Sequence, residues 1–484
     1  GFYDDAFDLR IATATEGAEI TYTLDGRPPG EARYRRGFEP TYTGPIRISQ
    51  TTCVRAVARK PGWKPTQVVT HTYIFDARSE IRSLPVISLV GDSGHTFYEP
   101  DGVMAIVGGT YSPTWTPTGS GSYNNVIKRG LERPVSAEWI IPPYTGRGAR
   151  EPVDGFQIDC GLRVHGSNYM RPRYERQEGY WTGRGKFSFR LYFRGRYGHS
   201  RLEYPLFPLS DVEEFASIVL RGGHNDRTNP FIKDELIRRL HSDMGQRACM
   251  GTFAKLFING EYKGYYNLTE HVKEESCQKW FDSEMPWDVM TMNGIRDGNR
   301  QSWNEMIGYA QSHNLADPTH YAEMGTLLDV PAFIDYLIAR LWPNDWDWPQ
   351  NNWSAVAERS ETGQWKFFVW DAEGTFRSYE LDETRFDELN SQGNANGILY
   401  RALKASPEFR RLFGDRLHQH FFNGGAMVQE NIEAHFLTMR HELRGVIPNM
   451  DTYIINGWAP SRQNILLDAC AREGLYTFAG PTLA

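Results

Sequence analysis

Apolar positions alternate with polar ones, or cluster as β-branched runs, through the first part of the chain. Leu9-Arg10-Ile11-Ala12, Ile20-Thr21-Tyr22-Thr23-Leu24 and Thr52–Ala58 each read as strands. Turn chemistry punctuates them at Asp25–Gly30 and Pro61-Gly62, which places an all-β unit over residues 1–76. Leu84–Val90 then reads as a buried strand, and a Gly-, Ser-, Thr- and Pro-rich loop follows around 108–123. Further strand patterns fall at Ser136–Ile141, Cys160–His165, Lys186–Phe193 and Ala216–Leu220. One helix interrupts them at Asp234–Met244, where Leu236, Ile237, Leu240 and Met244 keep a 3.6-residue rhythm. Phe253–Ile258 and Tyr262–Thr269 form a hairpin around Asn259-Gly260. From about residue 300 the rhythm is helical, at Trp303–Ser312, His320–Leu328, Val330–Leu341, Gly397–Ala405, Pro407–Asn423 and Val428–Val446. Strands first and helices second predict an α+β chain.

At roughly 150 residues per domain, a length of 484 sets a prior of about three domains. A hydrophobic share of 40% and a charged share of 23% are ordinary for a globular chain, so disorder and collagen-like structure are excluded. Lys and Arg number 53 against 60 Asp and Glu, a formal charge of −7 that argues against nucleic acid as a partner. No apolar run is long enough to span a membrane. The 5 cysteines are widely spaced without a CxxC pair, which argues against a disulfide framework or structural zinc and leaves room for one bridge at most. The chain opens Gly1-Phe2-Tyr3 without Met, as a processed or excised fragment would, with any targeting signal out of view. Aromatics reach 13%, which predicts either much strand and loop or many ring-stacking surfaces.

Candidate chemistry lies in the helical half. Trp342-Pro343-Asn344-Asp345-Trp346-Asp347-Trp348-Pro349-Gln350-Asn351-Asn352 is followed, after a predicted strand at Trp365–Trp370, by Asp371-Ala372-Glu373-Gly374. Carboxylates and carboxamides at strand ends are hard oxygen donors suited to Mg²⁺. Asp347 and Asn352 stand five positions apart, the separation of base Asp and metal-binding Asn in a protein-kinase catalytic loop. Asp371 takes the place of the metal-binding Asp on the next strand. Asp345 competes with Asp347, but its distance to Asn351 is six. Upstream, Lys186 follows a Gly- and Arg-containing loop, where a phosphate-neutralising lysine would sit. Singly, each has a plain structural alternative: a loop carboxylate, a solvated strand lysine, a turn cap. Their order is what raises them, because a two-lobed phosphotransferase needs loop, lysine strand, helix, hairpin, Asp…Asn, strand and Asp in that sequence. Histidines are scattered without metal spacing, and no GxSxG elbow occurs.

Several stretches resemble the spore-coat CotH family of atypical kinases: Gly161–Ser167, Gly185–Arg194, Tyr197-Gly198, Ile218–Arg221, Asn259–Glu270, Asn344–Asn352 and Trp370–Glu373. The resemblance covers roughly 84–476. It implies a bilobal protein-kinase-like fold over 77–478, with a β-rich lobe to about 272 and a helical lobe from about 273. It also implies binding of ATP with Mg²⁺ or Mn²⁺, and phosphorylation of Ser or Thr hydroxyls on secreted or cell-surface proteins. Carried over, the pattern makes Lys186 the α/β-phosphate contact, Asp347 the catalytic acid or base, and Asn352 and Asp371 the metal ligands. Gly166, Ser167 and Arg173 fall in the loop over the nucleotide phosphates, Glu270 lies at the lobe crossing beside the adenine site, and Glu235 could pair with Lys186. No GxGxxG precedes Lys186; Gly166-Ser167-Asn168 and an Arg- and Tyr-rich stretch, Tyr169–Trp181, replace it, so phosphate grip falls to backbone N–H groups and arginines. Glu19–Pro29, Tyr42–Ile46 and Val54–Ala56 are similar to the fibronectin-like accessory module beside chitobiase and hexosaminidase catalytic domains. That module implies an extracellular or cell-surface setting. Two rivals stay open: an inactive surface scaffold of the same fold, and a glycoside hydrolase using Asp347 with Asp371 or Glu373.

Overall fold

The computed structural model describes residues 1–30, 40–76, 78, 80–98, 100–108, 117–118, 122–123, 126–127, 130–143, 154–166, 187–223 and 231–476. The first five strands are β1 (Phe7–Leu9), β2 (Glu19–Thr23), β3 (Ile46–Ile48), β4 (Thr52–Arg59) and β5 (Val69–Tyr73). β1 pairs antiparallel with β3, and β2-β4-β5 form a separate three-stranded sheet. The expected strand at Leu9–Ala12 sits earlier, because Phe7 to Leu9 find their ladder against Ile48 to Ile46. Ile11 instead donates its N–H to the Tyr42 hydroxyl at 3.1 Å.

Seven strands close the next body into a barrel: β6 (Val86–Val90), β7 (Arg133–Ile140), β8 (Phe156–His165), β9 (Ser188–Tyr192), β10 (Ser217–Arg221), β11 (Gly251–Ile258) and β12 (Glu261–Thr269). The order round the barrel is β7-β8-β9-β10-β12-β11-β6, and β6 closes it by running antiparallel to β7 and parallel to β11. Alternate residues fill the interior, among them Ile87, Leu89, Ala137, Cys160, Leu162, Phe189, Leu191, Ile218, Leu220, Leu256 and Leu268, all fully buried. Each such Leu or Ile contributes about 1.5–3 kcal/mol relative to exposure. Asn259 and Gly260 both take positive φ, 49° and 81°, as the tight β11–β12 turn requires.

Helix α1 (Lys233–Asp243) follows β10, between it and β11. Past the barrel come α2 (Glu274–Trp280), β13 (Trp287–Thr291), β14 (Gly294–Asp297), α3 (Gln301–Ser312), α4 (Pro318–Leu327), α5 (Val330–Leu341), β15 (Trp353–Glu358) and β16 (Lys366–Val369). The chain then runs through α6 (Phe386–Ser391), α7 (Ala395–Lys404), α8 (Pro407–Phe421), α9 (Gln429–Leu443) and α10 (Ala459–Arg472). The strands make one antiparallel sheet, β14-β13-β15-β16. Asp317, Asp329, Asn394 and Ser406 cap α4, α5, α7 and α8 through side-chain acceptors. The molecule is thus mixed α and β, with a β domain first and a helical region last. Much of the aromatic excess is core: Trp303 stacks on Trp353 at 5.7 Å and meets Trp365 edge-on at 4.8 Å. All five cysteines are buried free thiols, so the single permitted bridge does not form.

Candidate active site

Helix α5 delivers the chain into a loop whose backbone is folded back on itself. Asn344 and Asn352 adopt φ of 53° and 60°, a left-handed conformation that Asn tolerates better than other side-chain-bearing residues. Asp371, just past β16, does the same at 60°. Two backbone bonds join the loops: Trp346 N–H donates to the Gly374 carbonyl at 3.1 Å, and Phe376 N–H to that of Pro343 at 3.0 Å. Position 374 must be glycine for this approach, since a Cβ there would stand 2.3 Å from Trp346 Nε1.

The two acidic candidates of the first loop have different surroundings. Asp345 is fully buried, ion-paired with Arg340 at 2.7 Å, and its Oδ1 accepts the Asp347 N–H at 3.1 Å. Burial pushes its carboxyl up to about 6 against the pull of Arg340. Asp347 is half-buried and accepts from Asn351 Nδ2 at 2.8 Å and Asn352 Nδ2 at 3.1 Å. Burial also raises Asp347 above the ordinary carboxylate range; the Asn351 amide opposes the rise, and the nearby Asp371 charge adds to it. The geometry therefore commits Asp345 to holding the loop and leaves Asp347 as its accessible carboxylate.

Arg221, the last residue of β10, joins the parts. Its buried guanidinium pairs with Asp234 of α1 at 3.2 Å, with Glu373 at 2.6 Å and with Asp371, and it lies 5.5 Å from the Trp370 ring centre. Asp234 in turn accepts the Ala372 N–H at 2.7 Å, so α1 grips the Asp371 loop directly. Burial works against the charge on Arg221, but its carboxylate partners hold the guanidinium protonated. Of these acids Asp371 is the open one, with its side chain 37% exposed against 4% for Asp234 and 6% for Glu373.

Sequence reasoning singled out neither Arg221 nor Asp234 for this pairing. A signal was present: the strand feeding α1 is β10, and it ends in arginine. Glu235 pairs with Arg238 and Arg239 at 2.8 Å each and accepts from Asn267 Nδ2 at 3.2 Å. Glu270 begins the crossing out of the barrel, and its carboxylate turns inward, accepting from Ser210 and Trp280 at 3.0 Å and from Met250 N–H at 2.8 Å. Burial lifts it to about 7. Gly166 follows β8 at φ 101°. Ser167, Arg173 and Lys186 lie outside the described residues.

Asp347, Asn352 and Asp371 offer oxygen donors of the kind a small divalent cation prefers. Among the described residues no group of three or more His, Cys, Asp or Glu side chains could hold a metal by itself. Asp371 and Asn352 fit a Mg²⁺ or Mn²⁺ ion that also takes oxygens from a phosphate substrate, as such ions commonly do.

The CotH kinase protein family model matches residues 176–458, more than half of the chain, and the chitobiase/beta-hexosaminidase C-terminal domain model matches residues 1–70. No curated protein matches the chain. Among solved structures, that of a proinflammatory kinase, CtkA, from Helicobacter pylori is similar over 53% of this chain and 91% of its own, at 9% identity and a TM-score of 0.23. A superposition that loose transfers neither fold nor function.

Proposed function

The chain belongs to the CotH kinase protein family, and on that premise we propose that it is an ATP-dependent phosphotransferase acting on Ser or Thr hydroxyls of secreted or cell-surface proteins. In this reading the barrel with α1 is one lobe, over 77–272, and the helical region is the other, over 273–478, behind an accessory module at 1–76. The observation that carries it is the joining of the loop bearing Asp347, hydrogen-bonded by Asn352, to the Asp371 loop, which Arg221 of β10 and Asp234 of α1 hold in turn. A bound divalent metal supplies charge neutralisation on the phosphates. Asp371 and Asn352 present the oxygens that would hold it.

The protein's own share is positioning. Asp347, kept in place by two carboxamides, orients the acceptor hydroxyl and takes its proton at a carboxylate oxygen, and burial, which raises its pKa, makes it a stronger base than an exposed aspartate. Lys186 neutralises charge on the phosphates, with Gly166, Ser167 and Arg173 in the covering loop. Arg221 keeps the Asp371 loop and α1 in register. A glycosidase pairing of Asp347 with Glu373 is disfavoured, because Glu373 is buried against Arg221.

Nucleotide binding tests this reading. ATP with Mg²⁺ raises the melting temperature of the wild-type chain, while ATP without metal, or ATP with Mg²⁺ added to the Asp371→Ala protein, gives a much smaller rise. An equal rise in all three samples contradicts it.

A further inference from the structure

Trp370, which Arg221 approaches, also borders a second group of side chains whose arginines the residues described around them do not neutralise. His165, at the end of β8, meets Trp370 edge-on at 6.3 Å, and His271 meets the same ring at 5.7 Å. Arg190 of β9 donates from Nη2 to His165 Nδ1 at 2.7 Å and from Nη1 to the Tyr192 hydroxyl at 3.0 Å, while its buried Nε has no hydrogen-bond partner. A guanidinium can only donate, so in this contact His165 Nδ1 is the acceptor. His271 is fully buried with neither ring nitrogen bonded; burial, with Arg190 and Arg296 nearby, keeps it neutral. Arg296 of β14 spends one bond, 2.8 Å, on the Val272 carbonyl. Among the described residues neither Arg190 nor Arg296 has a carboxylate at ion-pair distance, and Asp297 is the nearby acid that both feel.

More positive charge surrounds Tyr192. The guanidinium carbons of Arg163 and Arg194 each stand 4.7 Å from its ring centre, that of Arg190 5.7 Å, and Lys273 Nζ 6.0 Å. Glu132 pairs with Arg163 at 2.6 Å and Arg194 at 3.5 Å, and Glu275 with Lys273 at 3.5 Å. Arg190 and Arg296 remain. Like charges gathered in a half-buried place repel, and desolvated cations without counter-ions are costly, so such a cluster is stable in company with an anion. Two guanidiniums presenting planar donors match phosphate oxygens.

We propose that Arg190 and Arg296, with Lys273 beside them, form an anion seat for the polyphosphate chain of a nucleotide on the lobe-crossing side of the cleft. This rests on the nucleotide-dependent reading above and adds to it: phosphate grip comes from β9 and β14, and not only from the loop before Lys186. The anion completes the hydrogen bonding of Arg190 and offsets its repulsion with Arg296.

The test uses inorganic tripolyphosphate, without metal or adenosine, titrated calorimetrically into the full chain. Wild type binds it, and Arg190→Gln and Arg296→Gln each weaken binding by tenfold or more. Arg411→Gln, which removes an exposed cation elsewhere, leaves binding unchanged. Arg190→Lys, which keeps the charge, retains more affinity than Arg190→Gln. Melting curves of the ligand-free variants separate this role from a structural one: removing either guanidinium relieves repulsion and does not lower the melting temperature, while tripolyphosphate raises that of wild type and of Arg411→Gln far more than that of either Arg190→Gln or Arg296→Gln. Absence of tripolyphosphate binding by wild type, or wild-type affinity in both Gln variants, overturns the proposal. Phosphoryl transfer is scored separately, so a chain that binds tripolyphosphate through Arg190 but transfers nothing contradicts the kinase reading and leaves the anion seat standing.

Discussion

Asp347 and Asp345 are two positions apart, and burial gives them different work. Asp345 is sealed against Arg340, while Asp347 stays half-open between Asn351 and Asn352. Replacing Asp347 by Asn keeps the shape and removes the proposed base, so kcat for transfer is expected to fall by about 10²–10⁴ while the ATP-induced rise in melting temperature persists. Because Asp347 acts ionised and its carboxyl is raised, activity declines on acidification at a higher pH than the ordinary Asp value of about 3.9. Steady-state rates against pH check both. Glu270 carries a second pH dependence, on stability. Its value in the fold, about 7, lies above the ordinary 4.5, so the native state favours the proton. That contribution is complete below the unfolded value and is lost as pH rises through 7, an effect of about 3 kcal/mol in order of magnitude. Urea midpoints between pH 5 and 8 fall for wild type and stay nearly level for Glu270→Gln; identical slopes contradict the assignment. The spacing of Asp347, Asn352 and Asp371 was legible because short-range order in the loops carries it. Arg221 was not, since nothing local distinguishes a strand-end arginine that finds its acids 13, 150 and 152 positions away.

At the scale of elements, α1 shows what periodicity reads and what it misses. Its apolar stripe, Leu236, Ile237, Leu240 and Met244, is buried as the 3.6-residue rhythm predicts. Its other face looks solvated in sequence, yet Asp234, Glu235, Arg238, Arg239 and His241 are buried as well. Arg238 accounts for it: the guanidinium pairs with Asp234 at 3.1 Å and Glu235 at 2.8 Å, and also donates to Asn267, Thr269 and the Cys249 carbonyl. Arg238→Met takes one arginine partner from each of Asp234 and Glu235, which keep Arg221 and Arg239, and costs about 1.5–3 kcal/mol, measured by chemical unfolding. A loss below about 1 kcal/mol would show that the network is not what holds α1 to the barrel. Two elements, β15 and α10, were not legible. β15 is a Trp-Ser-Ala-Val-Ala run with little alternation, and it is a strand because β13 and β16 flank it. α10 opens Ala459-Pro460 and is fixed by buried Arg462, which donates to the carbonyls of Leu341 and Trp342 at 2.9 Å.

At the scale of the whole molecule, the change of rhythm near residue 300 gave the order of β and α regions, but closure of the barrel lay beyond local pattern. It depends on β6 pairing in parallel with β11, Val86 beside Lys255, across most of the barrel's own sequence. The N-terminal strands are docked on that barrel. Thr72 N–H donates to Glu138 at 2.7 Å, the Thr72 and Ser88 hydroxyls meet at 2.8 Å, and Ile74, Ile81, Val86, Ile140 and Phe257 share one apolar cluster. The helical region presents the Asp347 and Asp371 loops, the barrel presents Arg221, and α1 holds loop and strand together through Asp234. Phosphoryl transfer, the proposed activity, is measured by following the γ-phosphate of labelled ATP into the chain itself or a model protein with Mg²⁺ or Mn²⁺. The account predicts metal-dependent transfer by wild type and none by Asp371→Ala, which stays folded because Arg221 keeps Asp234 and Glu373 as partners. Transfer by Asp371→Ala at the wild-type rate, or none by wild type with either metal, would contradict it.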